Sequence, residues 1–425
     1  MTKHSQDRNG TSGSWQRSSR ACLVFVAVMG CVSLATPARA QTFSVIHSFA
    51  QHSEGAAPYA PVVQDAAGNL YGTTFDGGAS GNTGCANDCG VAYALDSTGQ
   101  ETVLYTFDRT SGGKSEGGLI RDSKGNLYGT TDIGGNPKCN DGAGCGTVFK
   151  LDAAGTLTVL HAFQGPDGRR PLAGLLRDTA GNLYGTTWEG GAVNRGTVFK
   201  IDTTGNATVL HSFRAKDGAW PLSGLIADAQ GNLYGTTELG GDLTGGCGTF
   251  GCGVVYKVDR NGHETVLYRF TGGADGSESA GNLVRDTAGN LYGTTGLGGD
   301  LGCNAPWGCG VVFKIDGAGH ETVLHSFEQQ PSDGWNPIAG LVRDPAGNLY
   351  GTTYRGGTYG WGTVFKLDTT GKETLLHSFT GGPDGAAPYA GLYRDSANNL
   401  YGTAVGGGSI GCLGGGCGVV FKVTP

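Results

Sequence analysis

The sequence predicts an all-β fold, a seven-bladed β-propeller with four strands in each blade. The first observation is a repeated heptad, GNLYGTT, which occurs six times and once more as NNLYGTA at 398–404. The second is its spacing, because successive heptad tyrosines lie 50 to 58 residues apart. The third is composition, since 81 of 425 residues are glycine without the Gly-X-Y period of collagen. A unit of this length, repeated along the whole chain, is typical of a propeller or a solenoid.

Four short strand-like runs in each unit favour the propeller over the solenoid. In the third unit they are Ala173–Asp178, Asn182–Thr187, Gly196–Asp202 and Ala207–Phe213. An Asp-x-x-Gly sequence joins the first run to the second and the third run to the fourth. Asp at the first position and Gly at the fourth are preferences of type I turns, so we expect two hairpins in each blade.

The phase of the repeat predicts how the ring closes. The repeats begin with a strand of the fourth type, residues 42–49, and end with a strand of the third type, Gly418–Val423. We therefore expect the last blade to lack its own outer strand and residues 42–49 to supply it. In the alternative arrangement every unit stays in phase, and no such closure exists.

Residues 1–40 have the features of a secretory signal peptide, which leaves residues 41–425 for the propeller. Basic residues precede the apolar run Ala21–Leu34, and Ala38–Ala40 fits a small-x-small cleavage site. The apolar run is short for a membrane-spanning helix. We expect export to the periplasm or the extracellular space, without lipoprotein anchoring at Cys31, because a methionine suits the preceding box poorly.

The charge balance excludes some classes of partner. Without the first 40 residues, which carry five basic residues and one acidic residue, 24 basic and 35 acidic residues remain, a net charge of −11. This charge argues against nucleic acids and anionic membrane surfaces as partners. No run of about 18 apolar residues occurs later in the chain, so we expect no membrane span. We expect a monomer.

One family carries a similar repeat. The unit GLVRDPAGNLYGTTYRGG followed by GTVFKLDTTGKETLLHSF, within residues 340–379, is similar to the repeat of the GloVer tandem-repeat proteins, an exported family predicted to form propellers. The likeness covers essentially all of residues 41–425. Weaker likenesses connect the heptad to NHL repeats and the Gly-Gly pairs to kelch repeats. The resemblance implies a propeller and an export route, and it implies no established activity.

The ten cysteines outside the signal form five close pairs, each in the loop between the second and third strands of a unit. The loops with a pair are 13 to 15 residues long, and the two without are 8 residues long. A disulfide that closes so small a ring is worth about 2 kcal/mol. A four-cysteine zinc site from neighbouring pairs is the alternative, but it would leave one pair over. We expect the disulfides Cys85–Cys89, Cys139–Cys145, Cys247–Cys252, Cys303–Cys309 and Cys412–Cys417.

Two polar columns recur through the units and are expected to be structural. One column contains His or Tyr on the fourth strand, where packing or hydrogen bonding explains the exchange: His47, Tyr105, His161, His211, Tyr268, His325 and His377. The other contains acidic residues in the turn before the first strand: Glu54, Asp167, Asp217, Asp275, Asp333 and Asp384. The turn explains these carboxylates, and Ca²⁺ binding to them is the alternative. We expect no cofactor and no metal.

The aromatic residues of the loops break the sevenfold pattern, and a specific site requires such asymmetry. The candidate ligand-binding residues are Trp188, Trp220, Trp307, Trp335, Tyr354 and Trp361. Exposed aromatic faces stack on sugars or anchor protein partners. We therefore expect a binding or interaction module for a glycan or an extracellular protein on the face that carries these loops. The sequence identifies no catalytic residue, and a propeller lyase or glycoside hydrolase remains the alternative.

Overall fold

A computed structural model describes residues 41–50, 52–78, 85, 88–409, 412 and 415–425. The expected signal peptide, including Cys31, lies outside these residues. The described chain forms seven four-stranded antiparallel sheets arranged as a propeller, which confirms the predicted fold class. The helices of the described part are three 3₁₀ turns, at His52–Glu54, Asn140–Gly142 and Gly248–Phe250, and none of them could cross a bilayer.

The strands are numbered along the chain from β1 (Thr42–Ser48), and those of each blade are given from the central axis outward. Blade 1 contains β2 (Val63–Gln64), β3 (Leu70–Thr73), β4 (Val91–Leu95) and β5 (Glu101–Thr106). Blade 2 contains β6 (Ile120–Arg121), β7 (Leu127–Thr131), β8 (Thr147–Leu151) and β9 (Leu157–Ala162). Blade 3 contains β10 (Leu176–Arg177), β11 (Leu183–Thr187), β12 (Thr197–Ile201) and β13 (Ala207–Ser212). Blade 4 contains β14 (Ile226–Ala227), β15 (Leu233–Thr237), β16 (Val254–Val258) and β17 (Glu264–Arg269).

The later blades follow the same order. Blade 5 contains β18 (Val284–Arg285), β19 (Leu291–Thr295), β20 (Val311–Ile315) and β21 (Glu321–Ser326). Two short strands in the loops of blade 6, β22 (Gly334–Trp335) and β25 (Arg355–Gly356), pair with each other. Blade 6 itself contains β23 (Val342–Arg343), β24 (Leu349–Thr353), β26 (Thr363–Leu367) and β27 (Glu373–Ser378). Blade 7 contains β28 (Tyr393–Arg394), β29 (Leu400–Ala404), β30 (Val419–Thr424) and, as its outer strand, β1.

The ring closes through the N-terminal strand, as the phase of the repeat predicts. β1 pairs antiparallel with β30, with Thr42 opposite Thr424 and Ser48 opposite Val419. At the inner side of the same junction, the Thr403 hydroxyl donates to the Ala60 carbonyl at 3.0 Å. The first and last parts of the described chain are therefore held together by a full strand pairing.

The heptad's asparagine and tyrosine stabilise the turn that precedes them. In blade 3, Asp178 Oδ2 accepts hydrogen bonds from Asn182 Nδ2 at 2.7 Å and from the Tyr184 hydroxyl at 3.1 Å. Gly181 between them has φ of 95°, the left-handed conformation that glycine adopts without cost. Burial acts to raise the pKa of Asp178, but the bonds from Asn182 and Tyr184 lower it overall. The turn and the second strand are thus one hydrogen-bonded unit.

The heptad's second glycine makes room for an aromatic ring. A Cβ on Gly185 would lie 2.6 Å from Cζ of Phe199, its partner on β12. Phe199 in turn meets Phe163 of the preceding blade edge to face, with ring centroids 5.1 Å apart. Equivalent pairs lie at all seven junctions, at 5.0 to 5.2 Å: Phe49–Tyr93, Phe107–Phe149, Phe163–Phe199, Phe213–Tyr256, Phe270–Phe313, Phe327–Phe365 and Phe379–Phe421.

The two heptad threonines connect the second strand to its surroundings. The Thr186 hydroxyl donates to the Ser223 carbonyl of the next blade at 2.8 Å. The Thr187 hydroxyl donates to the Glu189 carbonyl at 2.8 Å and accepts the Thr197 N–H at 3.1 Å, which fixes the start of the following loop. The heptad is therefore scaffold, since its side chains are used in holding the blades together.

The five predicted cysteine pairs form disulfides, with Cα atoms 5.2 to 5.5 Å apart. Cys89, Cys145, Cys252, Cys309 and Cys417, the second members of the pairs, lie directly before the third strand and are fully buried. Each disulfide therefore links a long loop to the start of the third strand of its blade.

We expect Gly185→Ala to lower the free energy of unfolding by about 1–3 kcal/mol, because the added methyl group overlaps Phe199 and disturbs its contact with Phe163. Thermal or urea unfolding measures the change. Gly317→Ala is the matched control, because a Cβ at that position meets no atom within 4 Å. Equal effects of the two substitutions would contradict the role assigned to the heptad glycine.

Candidate functional site

One residue just before the inner strand of each blade has a left-handed backbone although it is not glycine. Its φ lies between 54° and 61° in all seven blades, a conformation that costs an L-residue about 1 kcal/mol or more. The seven residues, here called the strained column, are Ala57, Lys114, Arg170, Trp220, Glu278, Asn336 and Ala387. The side chains differ in charge, size and polarity, whereas the backbone is the same in every blade.

Hydrogen bonds from two blades hold the strained column in place. The Arg170 N–H donates to the Cys145 carbonyl of the preceding blade at 2.9 Å, and the Arg170 carbonyl accepts the Trp188 N–H of its own blade at 2.9 Å. Trp220 repeats this arrangement with the carbonyl of Arg195 and the N–H of Glu238. The strained residues are thus fixed by the scaffold, and their side chains are presented by rigid backbone.

Two further columns lie beside the strained column, and together we call the three columns the mouth. The residue after each heptad hydrogen-bonds to the strained residue of its own blade: Phe75, Asp132, Trp188, Glu238, Gly296, Tyr354 and Val405. The residue two positions after the strained one lines a central cavity of about 380 Å³: Tyr59, Glu116, Leu172, Leu222, Ala280, Ile338 and Tyr389. The mouth therefore forms a rim around one opening of a cavity with largely apolar walls.

Charged groups concentrate at blades 2 and 3 of the mouth. Arg170 binds Asp132 through two hydrogen bonds, of 2.6 and 3.2 Å, and Lys114 forms an ion pair with Asp76. Glu116 lies beside the first pair and faces the cavity. Burial and the negative charge of Asp132 raise the pKa of Glu116 to about 7, although the positive charge of Arg170 acts in the opposite direction.

Two more acidic residues belong to the mouth at blades 4 and 5. Burial raises the pKa of Glu238, although a hydrogen bond from Trp188 Nε1 at 3.2 Å acts in the opposite direction. Burial and the charge of Glu238 raise the pKa of Glu278. Carboxyl groups that retain their protons to higher pH can donate as well as accept hydrogen bonds.

Aromatic rings line the mouth on two sides. Trp188 and Trp220 lie 6.3 Å apart, and the guanidinium groups of Arg170 and Arg195 cover them at 4.6 and 4.5 Å. Phe250, which is 60% exposed, continues this row at 6.4 Å from Trp220. Cation–π contacts of this kind hold the indole planes in fixed orientations.

A second aromatic group joins the first and last blades. Tyr389 contacts Tyr59 at 5.0 Å and Tyr354 at 6.1 Å. Burial, with the charges of Glu116, Tyr59, Glu238 and Tyr354, raises the pKa of Tyr389. Side chains from blades 1, 2, 4 and 6 therefore influence this one hydroxyl group of blade 7.

The six aromatic residues predicted from the sequence do not form one site. Trp188, Trp220 and Tyr354 belong to the mouth. Trp335 is adjacent to it in sequence and shares the Arg355 guanidinium with Tyr354, at 5.6 and 5.4 Å. Trp307 and Trp361 are 64% and 51% exposed, and within the described part of the chain neither ring contacts another aromatic ring.

The sequence did not predict the charged residues of the mouth, which are Lys114, Glu116, Asp132, Arg170, Glu238 and Glu278. A signal for it exists in the repeat alignment. The residue after each heptad differs in all seven units, whereas the residue before it is threonine in six of them, and the residue two positions beyond the preceding turn is of six different types. Variable columns within a constant repeat indicate where specific chemistry is placed.

Solved propellers with low sequence identity share this fold. The extracellular domain of a B. thetaiotaomicron protein assigned as a hybrid two-component system superposes with a TM-score of 0.54 and 14% identity, over 90% of this chain and 41% of that one. The extracellular domain of a one-component system from the same organism gives a TM-score of 0.53 and 10% identity, over 88% and 39%. The chain thus spans about two fifths of the length of these extracellular domains. At such identities the similarity is one of fold alone.

No curated protein matches the chain. The Gloeobacter/Verrucomicrobia repeat matches it over residues 27–250, 140–305 and 304–425, which together include every blade. The chain therefore belongs to the Gloeobacter/Verrucomicrobia repeat family, as its heptads and its seven-bladed ring indicate.

Proposed function

We propose that this protein is an exported binding module that holds a neutral glycan at the mouth. Five disulfides and the similarity of the fold to extracellular domains support export. The main support for binding is the strained column, which presents Lys, Arg, Trp, Glu and Asn side chains on left-handed backbone. Strain of this kind persists where surrounding structure enforces it, and it concentrates at functional sites.

The shape of the mouth favours a small, protruding ligand over a flat protein surface. A cavity of about 380 Å³ lies within the range of small-molecule sites, whereas a stable protein interface buries at least about 1,000 Å² of surface. The end of a glycan chain fits such an opening.

The chemistry of the mouth favours a sugar. Arg170 and Arg195 each cover one face of Trp188 and Trp220, and the opposite indole faces are the ones proposed to stack on the C–H face of a sugar ring. Glu116, Glu238 and Arg170 offer acceptors and donors for its hydroxyl groups, close to those aromatic faces. Because acidic and basic groups are mixed and partly paired, no strong field of one sign favours a charged ligand.

We expect a glycan array to identify a neutral oligosaccharide ligand, and we expect Trp188→Ala combined with Trp220→Ala to weaken its binding at least tenfold, or about 1.4 kcal/mol. The reason is that the double substitution removes the two stacking faces. Isothermal titration calorimetry with the identified oligosaccharide measures the loss.

Trp307→Ala is the control, because it removes an exposed indole that lies outside the mouth. If Trp307→Ala abolished binding and the double substitution did not, the ligand would lie elsewhere on the loop face. Absence of any neutral glycan ligand would contradict the proposal as a whole.

A second function, glycan cleavage, is favoured by the raised pKa of Glu116. A carboxylic acid that keeps its proton near neutral pH can act as a general acid. Glu116→Gln should then preserve binding and abolish cleavage of the glycan found on the array. If chromatography finds no products with the unchanged protein, the mouth binds without catalysis.

The titration of Glu116 also predicts a pH dependence of stability. Because its pKa is raised in the folded state, the folded chain holds this proton more tightly than the unfolded chain, and stability falls as pH rises from about 4.5 to 7. We expect Glu116→Gln to remove this loss, so that its stability relative to the unchanged protein increases between pH 5 and pH 8 by up to about 3 kcal/mol. Urea unfolding at several pH values measures the difference.

Glu328→Gln, at an exposed position, is the control for the removal of a negative charge. If the stability difference between Glu116→Gln and the unchanged protein did not depend on pH, the titration assigned to Glu116 would be contradicted.

A further inference from the structure

Three of the blade junctions bring together one imidazole and two carboxylates near the outer edge of the ring. The histidine comes from the outer strand of one blade, the first carboxylate from the turn that follows it, and the glutamate from the outer strand of the next blade. The candidate ligand atoms of each set lie within 4.8 Å of one another. These junction clusters are His47–Glu54–Glu101, His211–Asp217–Glu264 and His325–Asp333–Glu373.

Two polar atoms of each junction cluster are buried without a hydrogen-bond partner. In each cluster the histidine Nε2 and the glutamate Oε1 are inaccessible to solvent and make no hydrogen bond of acceptable geometry. The Glu101 side chain is only 5% exposed. Leaving such groups unsatisfied costs about 1–3 kcal/mol each, and more for charged groups, so they require an explanation. Glu321 Oε1 is unpartnered in the same way at a junction that has Tyr268 in place of histidine, so the unpartnered histidine Nε2 is what distinguishes the three junction clusters.

Two other junctions of the same chain serve as an internal comparison. There Ala207 and Phe43 replace the glutamate, and the histidine bonds directly to its aspartate: His161 to Asp167 at 2.8 Å, and His377 to Asp384 at 3.0 Å. In the junction clusters the closest histidine–carboxylate distances are longer, at 3.2, 3.4 and 3.6 Å. The direct hydrogen bond between the histidine and the turn carboxylate is thus absent where the glutamate, the second acidic group, is present.

The best-defined cluster presents lone pairs that converge. His47 Nδ1 donates to the Gly99 carbonyl at 3.3 Å, which leaves Nε2 of the neutral ring as an acceptor aimed at carboxylate oxygens. This backbone bond is the kind of outer-shell contact that orients histidine ligands of metals. Three acceptors facing one another without a donor require a cation or an added proton.

The spacing of the ligand atoms fits a metal. In a tetrahedral site with bonds of about 2.1 Å, ligand atoms lie about 3.4 Å apart. The closest histidine–carboxylate pair of each cluster lies at 3.2, 3.4 or 3.6 Å, and all three candidate atoms lie within 4.8 Å of one another. The imidazole favours zinc and related transition metals, whereas Ca²⁺ takes six to eight oxygen ligands.

We propose that the three junction clusters are binding sites for a divalent transition metal such as Zn²⁺, each formed by one histidine and two carboxylates from adjacent blades. A bound ion would cross-link the outer strands of neighbouring blades at three of the seven junctions. This proposal departs from the expectation, drawn from the sequence, that the chain holds no metal. It is independent of glycan binding at the mouth.

The test is the number of zinc ions bound per chain, measured by native mass spectrometry after the purified, chelator-treated protein is equilibrated with ZnCl₂ and desalted. We expect three ions, and none in the triple variant Glu101→Ala, Glu264→Ala, Glu373→Ala. Alanine is already present at the equivalent position 207, so the triple variant places it where this fold tolerates it. Glu321→Ala is the matched control, because its junction has Tyr268 in place of histidine, and it should leave the number at three.

A variant that adds a fourth site tests the assigned ligands directly. Ala207→Glu adds the missing carboxylate beside His161 and Asp167, and we expect it to raise the number of bound ions from three to four. Zinc should also raise the melting temperature of the unchanged protein in a concentration-dependent way, and not that of the triple variant. Folding of each variant is checked by circular dichroism.

Several outcomes would overturn the proposal. One is that the unchanged protein binds no zinc; another is that Glu321→Ala loses as many ions as the triple variant does. If the triple variant did not fold, an unchanged count in Ala207→Glu would still contradict the assigned ligands.

Discussion

The edge-to-face contact between two aromatic rings at each blade junction is the interaction on which the rest of this propeller depends. One ring follows the outer strand of a blade, and the other lies on the third strand of the next blade, over the second glycine of the heptad. Such pairs contribute about 0.5–1.5 kcal/mol beyond the apolar area they bury, and seven of them surround the axis. The contact also explains why the ring closes through the N-terminal strand. Phe49, which directly follows β1, supplies the ring that meets Tyr93 of blade 1.

A junction built from these contacts leaves two other regions free to vary. Closer to the central axis than the aromatic pairs, the side chains of the mouth differ from blade to blade, although the backbone of the strained column is the same. Farther from the axis, three junctions contain a histidine with two carboxylates, two contain a direct His–Asp bond, and two contain Tyr105 or Tyr268 in place of the histidine. The scaffold accommodates both variations, because all seven blades keep the same four-stranded antiparallel pairing. The functional differences are therefore carried by side chains at positions that the fold does not need.

The fold could be predicted because its signals are local and repeated. Each heptad predicts a turn and a strand within about ten residues, and the phase of Thr42–Ser48 against the last strand predicts the closure. The cysteine pairs are also local. The mouth could not be predicted in the same way, since Glu116, Asp132 and Arg170 come from separate loops and are ordinary surface residues when taken singly. The junction clusters are harder still, because Glu101 and His47 belong to different blades and no local pattern joins them. Residue type and loop position selected Trp307 and Trp361, which belong to none of the three columns of the mouth, although the Trp361 carbonyl accepts the Ala387 N–H at 2.8 Å.

The distribution of side chains within the mouth strengthens its interpretation as a built site. Blades 1 and 7 have alanine in the strained column, and they are the two blades with tyrosine, Tyr59 and Tyr389, at the cavity wall. In blades 3, 4 and 6 the arrangement is reversed, with Arg, Trp or Asn in the strained column and an aliphatic residue at the wall. Large polar or aromatic groups thus reach the opening from one column or the other. If the strained column only closed the fold, glycine could relieve its backbone strain, at some cost in conformational entropy, and the two columns would have no reason to complement each other. The complementarity indicates that the groups facing the opening, and not the backbone beneath them, are what these seven positions provide.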